Sequence, residues 1–205
     1  MSVLFIHSHY GPSPKAFAGL AERGAVTFIR DGALTDAMIG SARGIITTMH
    51  LDQIGFAAHA GALATFFSRG GRLFFNGHVL KPFVDGLHTY RPLLSRKRAD
   101  FDLQRLLPHP VFAALDPADM AVRKGVAGFY GRGHNPMPKG ARALTGLGPL
   151  KQPIDWEWTL PGGGIMFCHA GNDLWSMAPE GSDGPCAFAE RIAAWTGGTI
   201  KGEAA

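Results

Sequence analysis

Cys168 and His169 stand side by side in the stretch IMFCHAGNDLW, residues 165–175, with Asn172 and Asp173 close behind. A thiol, an imidazole and a supporting carboxylate form the residue set of a nucleophilic site, because the imidazole takes the thiol proton and the acid orients the ring. Strand geometry argues against that reading here. Neighbouring side chains of a strand point to opposite faces, so Cys168 and His169 cannot share a pocket while the strand runs through both. Met166 and Cys168 share one parity, Phe167 and His169 the other. The preferred assignment buries Cys168 as a small apolar residue and sets His169 at the rim where the strand ends. There it groups with Asn172 and Asp173.

Nine histidines are present. His7, His9, His50, His78, His134 and His169 each fall at or just past the carboxyl end of a predicted strand. Ligands of open parallel sheets bind outside those ends, so the histidines are expected to converge on one rim. Three readings compete. A transition metal fits neutral imidazole, but His7-Ser8-His9 is the one compact ligand pair and no HExxH pattern occurs; no cofactor is otherwise called for. A polar or anion-binding pocket is the second, and plain backbone capping the third. In the pocket reading His78 and His169 are general acid/base candidates, since imidazole titrates near neutrality, with Asp173 orienting His169. Asn76-Gly77-His78 sits where a strand-to-helix elbow would carry a nucleophile, but no Cys or Ser stands there. In Arg132-Gly133-His134-Asn135-Pro136, a polar loop suited to covering a site, Arg132 could pair with a carboxylate or phosphate. The ligand-binding candidates are therefore His7, His9, His50, Asn76, Gly77, Arg132, His134 and Asn172.

Elements able to hold these residues are legible in the apolar pattern. Val3–Ile6, Val26–Ile29, Gly44–Thr48 and Arg72–Phe75 read as strands, the first suited to burial on both faces. A small helix is predicted over Pro14–Arg23, and a longer one from an Asp52 N-cap to Arg69, with an Ile54, Ala58, Ala62, Phe66 stripe. Strand–helix–strand with short joints implies a parallel sheet. The middle, Tyr90–Asp119, is irregular, with DLQRLL helix-like; Ala121–Tyr130 reads as strand. QPIDWEWTL and GIMFCH form a hairpin about Pro161-Gly162-Gly163. A last helix starts near Pro185, buries Phe188, Ile192 and Trp195, and stops at Gly197-Gly198, leaving KGEAA frayed.

At 205 residues, 46% hydrophobic and 18% charged, the chain suits one globular domain over 1–205. Arg96-Lys97-Arg98 is the longest basic run and reads as a solvated loop, so nucleic acid is not an expected partner. Charge, glycine or histidine interrupts every apolar run, so no membrane span is expected. The sequence MSVLFIHSHYG lacks a basic, then apolar, leader pattern. Two cysteines in such a chain suit free thiols, and the expected location is the cytoplasm.

GRLFFNGH after Ser68-Arg69-Gly70-Gly71 resembles the strand motif of class I glutamine amidotransferase-like proteins. Within that superfamily the trehalose-utilisation (ThuA-like) branch is the nearest resemblance. His109–Leu115 is similar to its H-P-I-x-x-G-L segment, PIDWEWTLPGGGIMFCHAGND to its late hairpin, and FAERIAAWTGG to its closing helix. The resemblance implies an α/β flavodoxin-like three-layer sandwich with a mainly parallel sheet and a late β-hairpin. Catalytic members place a Cys at the elbow and His-x-Glu after the late strand. Here Asn76-Gly77-His78 stands at the elbow, and Gly171 stands two residues past His169. Glutaminase chemistry is thus not expected. The expected role is binding a small polar metabolite, sugar-related by the resemblance. A His- or metal-dependent hydrolase or isomerase acting on such a ligand is one alternative. Another is an assembly module, motivated by Trp156, Trp158 and Trp175, with a homodimer by analogy.

Overall fold

The computed structural model describes residues 2–8, 11–95, 97–113, 115–123, 125–179 and 184–200, with backbone alone at 122 and 123. His9 and the tail KGEAA lie outside the described residues.

Eight strands form the main sheet: β1 (Val3–His7), β2 (Val26–Arg30), β3 (Gly44–Thr47), β4 (Arg72–Asn76), β5 (Leu103–Arg105), β6 (Arg142–Leu147), β7 (Gln152–Thr159) and β8 (Ile165–His169). Their spatial order is β2-β1-β3-β4-β8-β7-β6-β5. Every pairing from β2 to β8 is parallel, and the remaining pairings, through β7 and β6 to β5, are antiparallel. The apolar runs explain the parallel half. All of β1 is buried, because helices cover both faces and leave no solvent side. Antiparallel β7 and β8 need only the short Pro161-Gly162-Gly163 connection, as the sequence predicts.

The two faces carry separate cores. Phe5, Phe74 and Phe167 pack under α1 (Ala18–Glu22) and the closing helix, Pro185–Thr196, whose Phe188, Ile192 and Trp195 are fully buried. Ile6, Phe75, Met166 and Cys168 pack under α2 (Asp36–Ser41), α3 (Gln53–Ala57) and α4 (Ala60–Ser68). The result is the expected flavodoxin-like α/β layering.

Three expectations are corrected. Asp52 does cap its helix, accepting from the Ile54 and Gly55 N–H groups, but the helix breaks at residues 58–59 into α3 and α4. The buried face becomes Phe56, Leu63, Phe66 and Phe67, and Ile54 is left 73% exposed. DLQRLL supplies β5 instead of a helix, because edge pairing with β6 captures Leu103–Arg105. Residues 121–130 form no single strand: a helix, Pro117–Ala121, ends there, and the short ladder Val122–Arg123/Val126–Ala127 follows.

Candidate functional site

Parallel register aligns the strand ends that carry the polar residues. Asn76 pairs directly with His169, His7 with Arg30, and Ile6 with Thr47. Asn76 is fully buried and ties three loops together: its amide donates to the Thr47 carbonyl (2.8 Å), and its oxygen accepts from the Leu174 N–H (3.0 Å). Asn135, from the loop expected to cover the site, clamps the elbow. Its oxygen accepts from Val79 N–H (2.9 Å), and its amide donates to the Gly77 carbonyl (2.9 Å) and Cys168 Sγ (3.1 Å). No helix follows this elbow; residues 78–90 are loop.

Against these loops lies a cleft of about 310 Å³. Gly77, His78, Arg132 and Asn172 line it, together with Met49, Phe129, Gly131 and Gly171. His78 stacks flat on Tyr90, centroids 3.6 Å apart, and burial, then the neighbouring His169, hold its pKa below the ordinary value. Asn172 is anchored by donation to the Phe129 carbonyl (2.8 Å).

Behind the Gly171 wall runs a chain that sequence reading missed. The Tyr130 hydroxyl donates to Asp155 Oδ2 (2.5 Å), and Asp155 Oδ1 sits 2.6 Å from His169 Nδ1. Asp155, Tyr130 and His169 are all fully buried. A carboxylate only accepts, so Nδ1 carries a ring proton, and in the neutral ring Nε2 is the nitrogen with the lone pair. That Nε2 is buried and has no hydrogen-bond partner among the described residues. Gly171 brings the cleft wall against it: a Cβ at 171 would lie 2.6 Å from Nε2 and 1.9 Å from the Tyr130 carbonyl. Burial and Asp155 both push the Tyr130 hydroxyl pKa up.

His169 is therefore not a solvent-facing rim residue; it is enclosed, and Asp155 rather than Asp173 orients it. Asp173 instead accepts from Met49 N–H (2.7 Å), and burial pushes its pKa up to about 6. A register count about the hairpin turn could have found Asp155, since residues equidistant from the turn centre pair, as Asp155 and His169 do.

The expected convergence of histidines is partial. His50 is exposed beside Asp173; its N–H donates to the Thr48 hydroxyl. His7 is buried beside Phe28 and does not line the cleft. His134 lines a different cavity, because the ladder Arg91–Pro92/Gly133–His134 turns it away. Cys168 faces the opposite core from His169, as parity predicts, and burial raises its thiol pKa well above the ordinary value. Among the described residues no group of three or more His, Cys, Asp or Glu is placed to hold a metal ion, and no helix is long and apolar enough to cross a membrane.

The sheet order and layers define a flavodoxin-like α/β protein. Comparison with solved structures gives the same fold. The chain is similar to the structure described as the mmIFT52 N-terminal domain, with a TM-score of 0.57 and 13% identity over 100% of both chains. It is also similar to a GMP synthase subunit protein from Thermoplasma acidophilum, with a TM-score of 0.58 and 6% identity over 97% of this chain and 95% of that one. No protein-family model matches the chain, and no curated protein does.

Proposed function

We propose that this chain is a divergent, non-glutaminase amidotransferase-like protein of ThuA-like type that binds a small polar metabolite in the cleft at the ends of β4 and β8. The observation that carries the reading is the unpartnered His169 Nε2 under Gly171, held in one tautomer by Asp155 and Tyr130. A buried acceptor left without a donor costs about 1–3 kcal/mol. A ligand hydroxyl or N–H that reaches Nε2 as the Gly171–Asn172 turn yields would offset that cost. Arg132 and His78 at the mouth suit an anionic or hydroxyl-rich group, and a sugar-related ligand fits this polarity. No nucleophile stands at Gly77, and the nearby Cys168 thiol is enclosed and protonated at neutral pH, which supports a role other than ammonia release from glutamine.

The Asp155–His169 pair also favours a second reading, an enzyme in which His169 takes a proton from a bound hydroxyl or water. An imidazole oriented by a buried carboxylate is the arrangement of a general base.

A thermal-shift panel of sugars, sugar phosphates and hydroxycarboxylates tests both. At least one class should raise the Tm of the wild type, and Arg132→Gln should weaken it for the anionic members. No shift with any class would overturn the binding reading. Turnover of a bound compound that survives His169→Gln would remove the base.

A further inference from the structure

A second cavity, about 590 Å³, is separate from the cleft and lies within the roughly 300–1,000 Å³ typical of small-molecule sites. It opens between the Arg91–Pro92/Gly133–His134 ladder and the turn joining β6 to β7. Its lining is aliphatic: Leu93, Leu94, Leu147 and Leu150 contribute, with Leu147 buried. Leu94 and Leu150 are 104% and 89% exposed. Single exposed leucines are ordinary, but two bordering one apolar cavity are an unmet hydrophobic surface.

One wall of the same cavity carries a cation, Arg91, beside a histidine, His134, that burial and then the neighbouring Arg91 hold below its ordinary pKa. Arg91 and His134 stand directly opposite each other in the antiparallel ladder, so their side chains project to the same side. Arg91 has no acidic partner among the described residues, and His134 Nδ1 is buried without a hydrogen-bond partner. Asp100 is the one acid among the described lining residues, and its Oδ2 already accepts from Lys97 N–H (2.7 Å). Aliphatic walls beside an unpaired guanidinium and an unmet imidazole nitrogen are complementary to an amphipathic anion.

We infer that this groove is a second binding site, for a medium-chain aliphatic carboxylate whose head lies on Arg91 and His134 and whose tail lies over Leu147 between Leu94 and Leu150. The site is independent of the cleft and of its proposed ligand. Isothermal titration of the full chain with octanoate, and with octanol as the uncharged control, tests it. Octanoate should saturate one site. Octanol should bind weaker by on the order of tenfold, the worth of a charge-assisted hydrogen bond. Arg91→Gln should lower octanoate affinity to the octanol level, and Leu150→Asp, at an exposed turn, should lower it further. Absence of saturable octanoate binding overturns the inference, as does equal binding of octanol. So does light scattering that shows a dimer dissociated by Leu150→Asp but indifferent to octanoate, since the leucines would then serve a second copy.

Discussion

Strand β7 carries two buried acids on one face, two residues apart, and each meets a histidine. Glu157 Oε2 lies 3.1 Å from His109 Nε2, and Asp155 Oδ1 lies 2.6 Å from His169 Nδ1. Beyond this the two regions diverge. His109 is saturated: its Nδ1 accepts from Val111 N–H, and Arg142 neutralises the second Glu157 oxygen at 2.7 Å. Phe112, Phe167 and Trp195 surround the ring. His169 has one nitrogen left over, and that nitrogen abuts a cleft. The same residue pair, on the same strand, is a strut where every donor and acceptor is matched and a candidate site where one is not. Burial and distance alone would have ranked the two alike.

The largest effect should come from breaking the strut. Glu157→Ala leaves the buried His109 Nε2–H without its acceptor, while the part-exposed Arg142 can turn to water, and should cost about 1–3 kcal/mol of stability by urea denaturation, with cleft binding unchanged where the protein remains folded. A cost no greater than that of an exposed ion pair would erase the contrast.

Asp155→Asn should act more on the ring than on the fold. Tyr130 can still donate to the amide oxygen, but the amide N–H now faces Nδ1, so the ring proton moves to Nε2. Nitrogen NMR of His169 should show an unprotonated Nε2 in the wild type and a protonated one in the variant. Affinity for a cleft ligand that donates to Nε2 should fall by on the order of tenfold. An Nε2 already protonated in the wild type would reverse the tautomer assignment.

The smallest effect is a difference in pH dependence. Burial pushes Glu157 up, but His109 and Arg142 outweigh it and hold its carboxyl below the ordinary value, so its contribution is present above that value and is lost as pH falls through the folded pKa. Asp173 has the opposite sign. Burial lifts it from 3.8 to about 6, so the folded state holds its proton more tightly, and stability falls as pH rises between those values. The stability of Asp173→Asn relative to wild type should therefore climb from about pH 4 to pH 6 and level off above. A flat difference would mean that Asp173 ionises as freely in the fold as in the unfolded chain.

How legible all this was in the sequence follows the kind of interaction involved. Runs buried on both faces, such as Val3–His7 and Arg72–Asn76, are read from hydrophobicity alone, and the Pro161-Gly162-Gly163 turn announces its hairpin. Parity alone separated Cys168 from His169. Leu103–Arg105 was misread because an edge strand is fixed by its neighbour rather than by its own pattern. Asp155 and Tyr130 were invisible for a related reason: an acid between apolar residues in a hairpin reads as solvent-facing, and only the closed second layer shows that it is not. His134 was placed at the wrong cavity because the Arg91–Pro92 ladder joins segments about forty residues apart and has no local signature.

Gly77 limits which side chains the elbow can carry. Its φ of 104° and its contact with the backbone at Met49, where a Cβ would come within 2.9 Å of Cα, mean that any side chain there collides with the main chain after β3. A cysteine introduced at 77 would need a compensating move of that neighbouring loop, whose Met49 N–H is pinned by Asp173. Placing a nucleophile at the elbow would thus take coordinated changes in two loops, and a cysteine at 77 alone would not supply the chemistry.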